Sequence, residues 1–212
     1  MRVKPIATLI SHAFTYVIKT SRVYNIDESH ALKHSMEVYN YANKIYQHEL
    51  IGNPMLEKQK ETILVSSILH DMCDKKYMSE RQGVMMIKKH MMDYMPISNL
   101  DLMCNIISTM SYSKVKINGY PKLGENQLAY HIVREADLLA GYDVDRCIIY
   151  GIYREGLTYD QAVKRANELF KTRILKYIED DLFVTEYSKK EAIKLHIKSD
   201  IDLENLKNIL FY

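Results

Sequence analysis

The sequence predicts an all-α fold, a helical bundle followed by a helical C-terminal extension. Two observations carry that expectation. Only 7 Gly and 4 Pro punctuate 212 residues, too few for the many turns of a sandwich or barrel. Apolar residues also recur at helical spacing along most of the chain. The length suits one domain, read as a bundle over residues 1–157 with the extension, 158–212, packed on it. Hydrophobic residues make up 47%, enough to bury a core without staples and to exclude a disordered chain.

The elements follow in order. Ile6, Leu9, Ile10, Ala13 and Val17 mark a first amphipathic helix, with Pro5 near its first turn. The stretch from residue 1 superficially resembles a signal peptide. His12 interrupts its apolar run, however, and no small-x-small cleavage site follows. A second helix spans about 29–49, with Val38, Ala42 and Ile45 on one face, and Gly52-Asn53-Pro54 breaks the chain after it. A third spans about 57–73. Ser79-Glu80 opens a fourth, which runs through Ile87 to Tyr94 and is ended by Pro96. Ser98 is the expected N-cap of a fifth, which contains Leu102, Ile106 and Met110.

Residues 113–125, with Gly119, Pro121 and Gly124, read as a long loop of the kind that often carries function. One helix is expected from about residue 126 through Asp137 toward Arg154, with Gly156 stopping it. Thr158 caps a helix over about 159–179. Ser188 caps a last segment, where Asp200-Ile201-Asp202 is expected to interrupt the helix. No apolar run reaches the roughly 18–20 residues of a membrane span.

Charge and cysteines narrow the function. The net charge of +2 argues against a dedicated duplex-DNA binder. Cys73, Cys104 and Cys147 form no CxxC pair. They read as free thiols of a reducing, cytoplasmic compartment.

Chemistry concentrates at a few histidines and carboxylates. His70 and Asp71 stand at the end of an apolar face containing Ile63, Leu64 and Ser67. His34 shares a face with Val38, Tyr41 and Ile45, and His30 lies one turn earlier. Asp137 is flanked by Val133 and Ala140 on the packed side of its helix. A buried carboxylate needs a partner. For Asp71 that partner is a metal ion, a nearby Lys75 or Lys76, or solvent. If the groups converge, two imidazoles and two carboxylates suit Mn²⁺, Fe²⁺, Mg²⁺, Co²⁺ or Ni²⁺ with water in open positions. The set lacks the thiolates of a structural zinc site.

With that order of residues the chain resembles the HD-domain metal-dependent phosphohydrolases. Their pattern is a His, a His-Asp pair and a distant Asp, here His34, His70-Asp71 and Asp137. The resemblance covers roughly residues 28–155 and is closest to a branch with the signature HD-x-x-D-x-K-[FY]. His70, Asp71, Asp74, Lys76 and Tyr77 match that signature, and Ser111-Tyr112 and Glu135-Ala136-Asp137-Leu138-Leu139 match its later motifs. Relatives usually carry a His before the Ser-aromatic pair, whereas this chain has Met110, which favours one metal over two. The last motif also reads Glu-Ala-Asp in place of the commoner Asp-Ala-Asp.

The resemblance implies an HD-type bundle that hydrolyses a phosphate ester, on a nucleotide or another small phosphorylated metabolite. It implies metal ligands at His34, His70, Asp71 and Asp137. Lys76 is the candidate for a phosphate oxygen, and Asp74 for orienting Lys76 or accepting a proton. Arg134, Tyr112 and Lys114 are candidate substrate contacts, though each also reads as an ordinary surface or loop residue. Arg146 and Arg154 read as surface ion-pair partners. Two other classes stay open: a metal- or nucleotide-binding module without turnover, and a di-iron oxygenase. The oxygenase needs more histidines between Asp71 and Asp137 than His90 and His131 provide. Pairing into a homodimer is also open.

Overall fold

The computed structural model describes residues 5–211, so residues 1–4 of the signal-peptide-like start lie outside the described residues. Ten α-helices and no strand occur among the described residues. The chain is all-α, as its composition and periodicity predict.

The helices are α1 (Ile6–Tyr24), α2 (Leu32–Gly52), α3 (Lys60–Leu69), α4 (Glu80–Met91) and α5 (Ile97–Thr109), followed by α6 (Tyr112–Asn118), α7 (Gln127–Ala140), α8 (Val144–Glu155), α9 (Tyr159–Leu169) and α10 (Glu186–Phe211). At the centre lie α2, α3 and α7. Helix α7 packs against α2, α3 and α10, and from Ala129 to Ala140 all its residues but Asp137 are buried. A helix buried on all sides is a core helix, so its polar residues need partners inside the protein.

Two apolar clusters meet at α2 and α3. One joins Leu9, Val17, Ile68, Ile87 and Met103 of α1, α3, α4 and α5. The other joins Val38 and Ala42 of α2 to Val133 and Ala136 of α7, and continues into Phe170, Ile174, Tyr177, Ala192 and Leu203. The extension therefore shares the core of the bundle.

Several boundaries differ from expectation, each for a local reason. Residues 113–118, expected within a loop, belong to α6. This helix buries no residue, so it has no apolar stripe to read. The expected single helix from about residue 126 to Arg154 is two. It breaks at Gly141-Tyr142, and Asp143 caps α8 by accepting from the backbone N–H of Asp145 at 3.0 Å and of Arg146 at 3.4 Å. The expected helix over 57–73 is shorter. A 3-10 turn, Pro54–Gln59, precedes α3, and His70 lies in the turn after it.

Helix α4 ends at Met91, and α5 starts at Ile97 after Pro96, two residues earlier than a Ser98 cap requires. The extension runs as α9, a π-helical turn at Phe170–Ile174, and a set of turns before α10. Ser188 lies inside α10, which continues through Asp200-Ile201-Asp202 without interruption. Thr158 does cap α9, with Gln161 completing a capping box.

One glycine is required by close approach. A Cβ at Gly83 of α4 would lie 2.8 Å from the backbone of Cys73. Its absence lets α4 sit directly on the turn that follows His70-Asp71.

Candidate metal centre and cleft

The first turn of α2, the end of α3 and the last turn of α7 meet at one end of the bundle. They bring His34, His70 and Asp137 together, and one ligand atom from each lies within 4.8 Å of the others. These three residues form a group able to hold a metal ion. His34 Nε2 and His70 Nε2 are 3.1 Å apart. Asp137 Oδ1 is 3.4 Å from the first and 3.5 Å from the second. Asp71 Oδ2 stands 3.3 Å from both imidazole nitrogens.

The chemistry of this cluster fits a cation. His70 Nδ1 lies 2.9 Å from the Ser67 carbonyl oxygen, and only a protonated Nδ1 can donate there. Its Nε2 is then free to present a lone pair, the arrangement that orients metal-ligating histidines. Asp71 Oδ2 is buried and has no hydrogen-bond partner. Ligand atoms about 2.1 Å from a shared ion stand about 3.0–3.4 Å apart in octahedral or tetrahedral geometry, and the observed separations are 3.1–3.5 Å. The C-terminal ends of α3 and α7 add negative potential at the same place.

Without a cation, protons must screen these lone pairs. Burial opposes charge on His70, but Asp71 and Asp137 outweigh it and push its pKa up to about 10. Burial likewise opposes ionisation of Asp71 and Asp137, yet the two imidazoles hold both carboxyls well below the usual range. A divalent cation would take the place of the protons.

The cluster opens onto a cavity of about 190 Å³. His70, Asp71 and Asp137 line it, together with Asp74, Lys76, Tyr112, Lys114, Arg146, Arg173 and Tyr177. Asp74 Oδ1 accepts from the Lys76 backbone N–H at 2.8 Å, and Oδ2 lies 3.6 Å from Lys76 Nζ. Asp74 therefore positions Lys76. His30 holds the same ammonium from the other side, with Nε2 2.9 Å from Lys76 Nζ. Its Nδ1 lies 2.6 Å from Ser29 Oγ, which in turn bonds Asp27. Burial keeps the His30 pKa well below its ordinary value, so a neutral ring can accept from Lys76.

Other candidates have different roles. Lys114 reaches the cavity but is engaged by Glu80 and by the Ser108 carbonyl. The Tyr112 ring is held against the Arg173 guanidinium, 4.4 Å away. Arg134 corrects the sequence reading: it does not line the cavity. It is 1% exposed, donates to the Leu182 carbonyl at 2.8 Å and lies over the Tyr120 ring. Its position on α7 turns it toward the segment before α10 and away from Asp137. Glu135 faces the same segment, accepting from Val184 N–H, Thr185 N–H and Thr185 Oγ. His90 lies against α1, 3.4 Å from the His12 carbonyl, and is absent from the cavity lining. Met110 is buried and lines the cavity.

Sequence reasoning missed three groups. Arg146 is not a surface residue: its Nη2 lies 3.6 Å from Asp71 Oδ2, and Nε donates to the Ser29 carbonyl at 2.5 Å. Arg173 and Tyr177 come from the extension, where no motif was legible. Their only signal is proximity to the apolar spacing Phe170, Ile174, Tyr177.

The fold and site together define an all-α protein with a buried His/carboxylate cluster beside a cationic cleft. No protein-family model and no curated protein matches the chain. Among solved structures, a structural-genomics target from Lactobacillus plantarum superposes with a TM-score of 0.68, over 95% of this chain and 96% of that one, at 20% identity. At that identity the likeness concerns the fold alone. No helix among the described residues is long and apolar enough to cross a membrane.

Proposed function

We propose that the protein is a metal-dependent phosphohydrolase of the HD-domain kind that its motifs resemble, acting on a small phosphorylated metabolite such as a nucleotide. The observation that carries this reading is the meeting of His34, His70, Asp71 and Asp137 at the floor of a cavity that also holds Lys76 and Arg146.

His34, His70 and Asp137 would hold the ion, with Asp71 beside them. The bound divalent cation (Mn, Mg, Fe, Co or Ni) supplies a coordinated water of lowered pKa, about 7 in favourable cases, and polarises a phosphoryl oxygen. One such ion is expected, since Met110 adds no nitrogen ligand. Arg146 neutralises Asp71 from the cavity side and directs its remaining donors toward a phosphoryl oxygen. Lys76, fixed between Asp74 and His30, places a second positive charge where charge builds up in phosphoryl transfer. Hydrolysis consumes one water and breaks one P–O bond of the substrate, and the departing oxygen keeps the electron pair and takes a proton from the water. The free thiols of Cys73, Cys104 and Cys147 suit a reducing, cytoplasmic setting.

The test is a panel of nucleotides and sugar phosphates incubated with purified protein and Mn²⁺ or Co²⁺. Phosphate release that is abolished by chelator supports hydrolysis. Tight nucleotide binding with no turnover across the panel would instead favour a binding module.

A further inference from the structure

We propose that the extension completes a second anion subsite next to the metal cluster, and that the substrate is therefore a phosphoanhydride, with two adjacent phosphoryl groups, in preference to a simple monoester. The reaction rests on the phosphohydrolase reading above, whereas the subsite rests on residues of its own.

A second cavity, of about 200 Å³, adjoins the first and shares Lys76, Arg146 and Arg173 with it. Arg165 of α9 joins them. Four cationic side chains thus surround one small space, and no Asp or Glu lines it among the described residues. Their charges are only partly met elsewhere. Lys76 leans on Asp74 and Arg146 on Asp71, both on the metal side. Arg165 pairs through Nε with Glu155, while its Nη1 is buried and has no hydrogen-bond partner. Arg173 donates to Tyr177 Oη at 3.1 Å and has no ion pair with a carboxylate among the described residues.

The Tyr150 ring fixes this arrangement, with Lys76 Nζ 5.2 Å and the Arg165 guanidinium 5.1 Å from its centre. Four like charges lining one cavity of about 200 Å³ repel one another, and an anion between them relieves the repulsion. Guanidinium forks match phosphoryl oxygens in particular. A monoester bound at the metal cluster would leave this space unused. An anhydride reaches both cavities, because they share walls. Water then adds to the phosphorus at the cluster and the bridging P–O bond breaks. The electron pair leaves on the phosphoryl group held by the arginines, and the protons come from the water.

Calorimetric titration of pyrophosphate and of orthophosphate into chelator-treated full-length protein tests the subsite without metal or turnover. The wild type should bind pyrophosphate at least about tenfold more tightly than orthophosphate. Arg165→Gln and Arg173→Gln should each weaken pyrophosphate binding by at least about fivefold and remove most of that preference. Arg173→Lys, which keeps the charge and loses the fork, should fall between. A nucleoside diphosphate run in parallel separates a nucleotide from an inorganic source, and arginine-dependent binding of either supports the subsite. Equal affinity for the two inorganic anions, or a preference untouched in both glutamine variants, overturns it. If the protein hydrolyses nothing yet keeps an arginine-dependent preference, the subsite stands and the hydrolase reading fails.

Discussion

The two ends of the cleft are built on opposite principles. At the proposed metal end, His34 and Asp137 come from α2 and α7, His70 directly follows α3, and His34 is 1% exposed. His70 is further fixed by its bond to the Ser67 carbonyl. At the cationic end, Arg146, Arg165 and Arg173 come from α8, α9 and the π-helical turn, and each is held by one or two polar contacts. Crowded, desolvated acceptors are costly without a partner, so the first end needs positive charge, from a proton on His70 or from the proposed ion. The second end tolerates adjustment, which is where selectivity among phosphorylated molecules can be set.

Breaking the support of one end should leave the other intact. Glu135→Ala removes the acceptor for three donors of the Val184-Thr185 segment that leads into α10. The two Thr185 donors are buried, and buried donors left without partners cost about 1–3 kcal/mol each, so the variant should lose about 3 kcal/mol in urea denaturation. Its metal stoichiometry should stay at the wild-type value.

Arg146 touches both ends, and its replacement sharpens the contrast. Arg146→Lys keeps the charge but gives up the planar fork that bonds Ser29 and faces Asp71. KM for a phosphorylated substrate should rise about tenfold, equivalent to about 1.4 kcal/mol, while bound metal is unchanged. A loss of metal together with the rise in KM would place Arg146 in the metal end.

A third effect, confined to acidic pH, belongs to His131, which lies at neither end. Burial, reinforced by Arg134, lowers its pKa from 6.5 to about 4. Between those values the unfolded chain binds a proton that the folded protein refuses. The stability linked to His131 is therefore full above pH 6.5 and is lost as pH falls toward 4. His131→Gln should flatten the pH dependence of the denaturation midpoint across that window and leave it unchanged above pH 7.

The same contrast governs what the sequence reveals. The bundle is legible because apolar spacing announces buried helix faces, as at Val38, Ala42 and Ile45. The residues of the His/carboxylate cluster are legible because each lies on or directly beyond such a face and carries a group that burial makes expensive. The arginines are not, because α8, α9 and the π-helical turn give one each, with no fixed spacing between them. Arg134 misleads for the converse reason. Its place three residues before Asp137 is correct, but α7 is enclosed on all sides, so nearness along the helix does not mean a shared cavity. Helix α6 escapes detection because it buries nothing, and the continuity of α10 because Asp200 stays exposed to solvent there.

The most direct measurement is elemental analysis of the purified protein beside its His70→Ala and Asp137→Ala variants, with folding of each checked by circular dichroism. A His/carboxylate cluster that holds one catalytic ion predicts about one equivalent of divalent metal in the wild type. Both folded variants should then have little metal and no metal-stimulated phosphate release. Full metal occupancy in both folded variants, or phosphate release from them at the wild-type rate, would contradict the assignment of this cluster as the metal centre.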